Sequence, residues 1–192
     1  MNNLRKSLAL FLAVIMMFSS MLVTGFAAED IFYTVETYFM DTSGKYPAVP
    51  TIETFSADAG EMVELFPAEV EGFTFDSVKS QYVFVVKSDC SSVAKLYYSR
   101  NKYTATYVYE DLLGSQTEES LVYYGAEIPS FEANPSGKPA KQGYNFIMWS
   151  LEEDTPVELP SRMPARDIEM YPIYELKEYT YTFDAGEGGS FS

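Results

Sequence analysis

Apolar and polar residues alternate with a period of two in one stretch of this chain after another. In "YTVETYF", Tyr33, Val35, Thr37 and Phe39 share one face. In "YTATYVYE", Tyr103, Ala105, Tyr107 and Tyr109 share a face, with Thr104, Thr106 and Val108 opposite. Successive side chains of a strand point to opposite sides, so each stretch predicts a half-buried strand. Residues 81–87 (QYVFVVK), 93–98 (VAKLYY) and 167–176 (DIEMYPIYEL) predict further strands. Pro172 lacks a backbone donor and argues for an edge strand or a bulge there. Helical spacing is scarce. Its best case is residues 58–66 (DAGEMVELF), stopped by Pro67, and the counterpart near "YGAEIPSF" is interrupted by Pro129. Pro and Gly punctuate residues 134–143 as a loop. The pattern predicts a β-rich α+β fold.

The pattern also repeats. "YTVETYFMDTSG" starts at Tyr33, "YTATYVYEDLLG" at Tyr103 and "YTYTFDAGEGGS" at Tyr179, at spacings of 70 and 76 residues. "GFTF" at Gly72 and "GYNF" at Gly143 stand 39 and 40 residues behind their respective Tyr-Thr starts. Tyr98 and Tyr174 each stand five residues ahead of the next Tyr-Thr. Two complete repeats, 31–101 and 102–177, are expected, with 178–192 as the opening of a third that breaks off after its first strand and turn.

Residues 1–27 are set apart from this pattern. Arg5 and Lys6 precede an apolar run from Leu8 to Phe18, and Gly25 and Ala27 present small residues before a cut after Ala27. That arrangement predicts a secretory signal peptide, because the run is interrupted by Ser19 and Ser20 and is short for a membrane span. Its removal takes the formal charge from −15 to −17, which disfavours nucleic acid and anionic membranes as partners. Cys90 is the only cysteine, so no internal disulfide is available, and the chain has no histidine, which excludes imidazole catalysis and histidine–zinc sites in this stretch.

The second repeat resembles the internalin-type B repeat, also called the Listeria–Bacteroides repeat. The likeness rests on Tyr103-Thr104, Tyr124-Gly125, Pro135 and Pro139, Gly143-Tyr144-Asn145-Phe146 with Trp149, and the closing strand Met170 to Tyr174. The first repeat is similar to the mucin-binding-protein (MucBP) type in Asp41 and Gly44, "GEMVELFPAEVEGFTF" and "KLYYSRN", although no tryptophan comes after its Gly-Phe-Thr-Phe. The resemblance implies tandem small β-grasp-like modules on exported bacterial surface proteins, each a mixed sheet partly covered by a short helix or loop. It brings no catalytic residues and no transferable ligand contacts.

The residues themselves offer few candidates for chemistry. Tyr144, Phe146 and Trp149 are an aromatic platform for a sugar ring or a protein partner, or else the filling of a small core. Glu110-Asp111, Glu118-Glu119 and Glu152-Glu153-Asp154 are adjacent along the chain, as in solvated turns, rather than opposed across a cleft. Residues 41–44 (DTSG) and 151–155 (LEEDT) offer oxygen ligands without the spacing of a calcium loop. "AGEGGS" reads as a hairpin turn, and "LPSRM" lacks the Thr-Gly and apolar tail of a sorting signal. The expectation is an exported, non-enzymatic repeat protein without cofactor or metal, contacting a surface protein or glycan of a host or neighbouring cell. A stalk, or accessory repeats of a larger secreted hydrolase, are its alternatives.

Overall fold

The computed structural model describes residues 31–111, 113–132 and 139–182. The signal-peptide expectation, Pro135 and the glycine turn at Gly186 and Gly188 lie outside them. Ten strands form in chain order: β1 Ile31–Phe39, β2 Thr51–Ala57, β3 Met62–Glu64, β4 Phe73–Phe75, β5 Val83–Val85, β6 Val93–Arg100, β7 Lys102–Asp111, β8 Gly114–Tyr123, β9 Tyr144–Ser150 and β10 Ile168–Leu176. The chain divides into two compact units. The first runs to Tyr103 and includes Val122–Ala126 and Arg162–Ala165; the second comprises Thr104–Leu121, Glu127–Ser161 and the residues from Arg166 onward.

In the first unit, a four-stranded sheet has the order β2-β1-β6-β4. β1 and β6 are parallel, and β2 and β4 flank them antiparallel. Parallel neighbours cannot be joined by a tight turn, so the chain between them is free to build a cover. That cover is a two-stranded ribbon, β3–β5. Val63, Leu65 and Val86 of the ribbon segment share one buried cluster with Tyr33, Val35, Ala94, Leu96 and Tyr98 of the sheet. Burying a side chain such as Leu65 stabilises by roughly 1.5–3 kcal/mol. Alternation on β1 holds as read: Tyr33 and Val35 are fully buried, while Phe32 is 51 % exposed.

The helix expected over residues 58–66 does not form, and the described residues contain no helix. Gly60 adopts φ +84°, a left-handed conformation that ends helical continuity, and Glu61 N–H turns back to Asp58 O. From Met62 onward the burial has a period of two: Val63 and Leu65 point in, while Met62, Glu64 and Phe66 point out. The apolar spacing of "EMVELF" suits a helix or a strand; pairing with β5, in which Val63 faces Phe84, decides for the strand.

Beside the sheet, the half-buried Arg100 is held by its own geometry. Its Nε donates to Met40 O at 2.8 Å and its Nη1 to Tyr124 O at 2.8 Å, while the guanidinium lies 4.6 Å from the Phe73 ring centre. Burial pulls its pKa down from the ordinary arginine value.

In the second unit the order is β8-β7-β10-β9, again with the two central strands parallel. Ala105 and Tyr107 on β7 face Ile168 and Met170 on β10, and all four are buried. β10 is not an edge strand of the sheet, which corrects one of the two readings of Pro172. Among the described residues β7 accompanies β10 only over Ile168–Met170, and from Tyr171 onward the ladder of β10 is with β9. The missing donor of Pro172 therefore falls where one flank of the strand has no ladder to supply. A register shift between Ile173 and Tyr174 places a bulge next to it.

Candidate functional site

The platform candidates Tyr144, Phe146 and Trp149 all lie on β9 and all are half-buried. Strict alternation would set Trp149 on the face opposite Phe146. The register shift leaves Ile147 without a partner across the strand pair and rotates the residues after it, so that Trp149 reaches Phe146 at 5.6 Å. Its ring also meets Tyr107 at 4.6 Å and Phe131 at 4.9 Å, and both of those residues are buried. The indole is thus built into the packing of the second unit. Tyr107 is fixed in turn by donating to Pro129 O at 2.8 Å, and burial, then Glu118, raises its pKa.

Tyr144 stands apart from that cluster. It meets Tyr174 at 6.3 Å, Phe146 meets Tyr174 at 6.2 Å, and Lys141 Nζ lies 4.9 Å and 5.4 Å from the Tyr144 and Tyr174 rings. The Tyr174 hydroxyl is buried without a hydrogen-bond partner among the described residues, and desolvation, then Glu110, raises its pKa.

A second aromatic group, not singled out from the sequence, lies on the outer face of the first sheet. Tyr98 points into the core, so its neighbour Tyr97 must point out; Tyr38 does the same beside Phe39. The register pairs Tyr38 with Tyr97, and their rings stack at 4.7 Å and 10°. Tyr46 meets Tyr97 edge-on at 5.1 Å, and Lys79 Nζ lies 4.3 Å from the Tyr46 ring centre. The Tyr38 hydroxyl donates to Glu36 at 2.8 Å, and Glu36 is also 3.5 Å from Lys95. The bond to Glu36 is the main cause that pushes the Tyr38 pKa up to about 12. The "LYY" doublet carried the signal for this group, because adjacent tyrosines in a strand cannot share a face. Half-exposed rings beside a lysine and a carboxylate suit contact with a ring-bearing or polar partner.

The remaining candidates are occupied by local structure. Asp41 Oδ1 accepts from Ser43 N–H, Ser43 Oγ and Lys45 N–H at 2.7–2.9 Å, and the bond from Lys45 is the largest cause lowering its pKa. Asp111 accepts from Leu113 N–H and Glu118 from Glu132 N–H. Glu152 bridges to Thr155 around Asp154, whose φ is +58°. Cys90 is exposed in a turn at φ +57°. Met163, the end of "LPSRM", is 1 % exposed and exchanges backbone bonds with Gly125 and Ala126. Tyr179 and Tyr181, at the start of the third Tyr-Thr stretch, are 67 % and 80 % exposed and lie in no strand. Compared with family models and with curated proteins, the sequence finds no match in either.

Proposed function

We propose that the chain is an exported, non-enzymatic repeat protein of the bacterial cell surface that acts as an adhesion or interaction module. In this reading residues 1–27 are a cleaved signal peptide, 31–101 a MucBP-like module, 102–177 an internalin-type B repeat, and 178–192 the start of a third. Both modules are read as β-grasp-like. What supports this is the shared strand order of the two sheets, with a parallel central pair in each. The β3–β5 ribbon then takes the place of the covering helix or loop in the first module.

The observation that carries the adhesive reading is the Tyr38–Tyr97–Tyr46 group on a solvent-facing sheet surface. The partner proposed is a protein or glycan of a host or neighbouring cell. Arrays of glycans and surface proteins, probed with the secreted chain and with Tyr97→Ala, test it. Binding that falls at least tenfold in Tyr97→Ala, with the fold unchanged, is the expected outcome; silence across broad panels overturns the reading. A stalk is the second reading, and one observation favours it. Tyr38 and Tyr97 use ring faces on each other, and the Tyr38 and Tyr46 hydroxyls are bonded to Glu36 and Ser99.

A further inference from the structure

Among the described residues the two four-stranded sheets present four edges, and three of them are short, bulged or charged on both faces, features that oppose pairing with another chain. β4 is only three residues long. β8 carries Glu118 and Glu119 in succession, which puts a carboxylate on each of its faces. β9 is bulged opposite Ile173 and Tyr174. β2 is neither short nor bulged, and its one guard is a single inward-turned carboxylate. Its seven residues pair with β1 in unbroken register and include neither proline nor lysine. Its single charge, Glu53, is half-buried and alternates in phase with Phe55 on the core side.

The unused backbone groups of β2 can be read from the ladder. Thr34 N–H donates to Ser92 O and Met40 N–H to Tyr98 O, so the even-numbered residues of β1 turn their groups toward β6. Groups of adjacent residues in a strand point to opposite sides, so Tyr33 and Val35 turn theirs to β2, where they face Phe55 and Glu53. Ile52, Thr54 and Ser56 are left with N–H and C=O groups aimed away from the sheet.

We propose that β2 is an interface with a second copy of this chain, the two strands running antiparallel about a two-fold axis at Thr54. Free groups meet only in registers that set even-numbered residues against even-numbered ones. Centred on Thr54, Ile52 faces Ser56 of the other copy and Thr54 faces its equivalent, so all three outward residues are used. Centring on Glu53 sets two carboxylates directly opposite, which is repulsive. Centring on Phe55 leaves Ile52 beyond the end of the other strand. In the Thr54 register Glu53 lies across from Phe55. Small Ser56 then separates Ile52 from Phe32 of the other copy, side chains that are 59 % and 51 % exposed in the single chain. The contact is self-complementary, as a closed two-fold interface requires, and it holds whatever ligand the outer surface takes.

Sedimentation velocity of the full secreted chain, from micromolar to near-millimolar concentration, tests this. The expected result is a species of twice the single-chain mass. Thr54→Lys, which sets two ammonium groups against each other, and Thr54→Pro, which removes only an outward donor, each weaken association at least tenfold. Circular dichroism and core amide exchange stay unchanged. In a Cys90→Ser background, Thr54→Cys oxidises to a linked dimer faster than Ser56→Cys does. A wild type that stays monomeric throughout, a dimer indifferent to Thr54→Lys, or Ser56→Cys linking as fast as Thr54→Cys overturns the proposal.

Discussion

In the first unit the inner face of the sheet lies under a ribbon, and Val63, Leu65 and Val86, with the Phe84 ring 5.3 Å from that of Tyr33, cover Tyr33 and Val35. In the second, the inner face is packed by rings: Tyr107, Phe131 and Trp149 meet at 4.6–5.5 Å. One strand order therefore supports two ways of excluding water. The ribbon roof needs extra chain with its own pairing, whereas the ring cluster needs a few large side chains and a bulge to orient them. The edges differ as well, since β8 carries a carboxylate on each face and its counterpart β2 only Glu53 on the core side.

This contrast is open to direct attack. Trp149→Ala is the largest expected perturbation, about 4 kcal/mol lost from the second unit, because a ring with three aromatic neighbours leaves a cavity that packed walls fill poorly. Amide exchange, which resolves units separately, reads it. Unchanged protection around β7 and β10 would return Trp149 to the surface-platform role. Leu65→Ala ranks second, with about 3 kcal/mol lost from the first unit and the second untouched. If the loss appears in β7 and β10 instead, the ribbon is not the roof of the first core.

Gly72→Ala comes next. Gly72 has φ +75°, and an added Cβ would run into the Tyr124 ring, so strain and clash together cost about 2 kcal/mol. A chemical-denaturation midpoint for the first unit that matches wild type would refute it. The smallest effect is spectroscopic. Tyr38 titrates at about 12 against an ordinary value of 10.0, so its neutral form is favoured by folding. Its stabilising effect is complete below pH 10 and is lost as pH rises through 12. Burial raises Tyr33, Tyr98, Tyr107 and Tyr174 too, so stability falls in the same alkaline range. Glu36→Gln returns Tyr38 toward the ordinary value in ultraviolet difference titration. A Tyr38 curve unmoved by that change would assign the shift elsewhere.

Much of the fold was legible beforehand. β1, β5, β6, β7 and β10 all lie on stretches read as strands, and the shared face of Tyr33 and Val35, like that of Ala105 and Tyr107, comes from the period of two, although Thr106 on the opposite face of β7 is buried as well. Residues 58–66 misled because their apolar spacing is compatible with both periods, and β5, which arbitrates, lies some 20 positions away. Trp149 was legible as a core candidate, but not the side it takes, since the bulge that turns it depends on the register with β10. The Tyr38–Tyr97–Tyr46 group joins residues from β1, β6 and the loop after β1, and no local pattern links them.

Which residues share a face of β1 and of β7 was settled by the sequence alone, because that depends on the period of side chains within one strand. Which strands became neighbours, which edge has no partner among the described residues, and which tyrosines met were decided only in the tertiary structure. Backbone donors and acceptors of a strand are satisfied by partners far along the chain, and nothing within the strand names them.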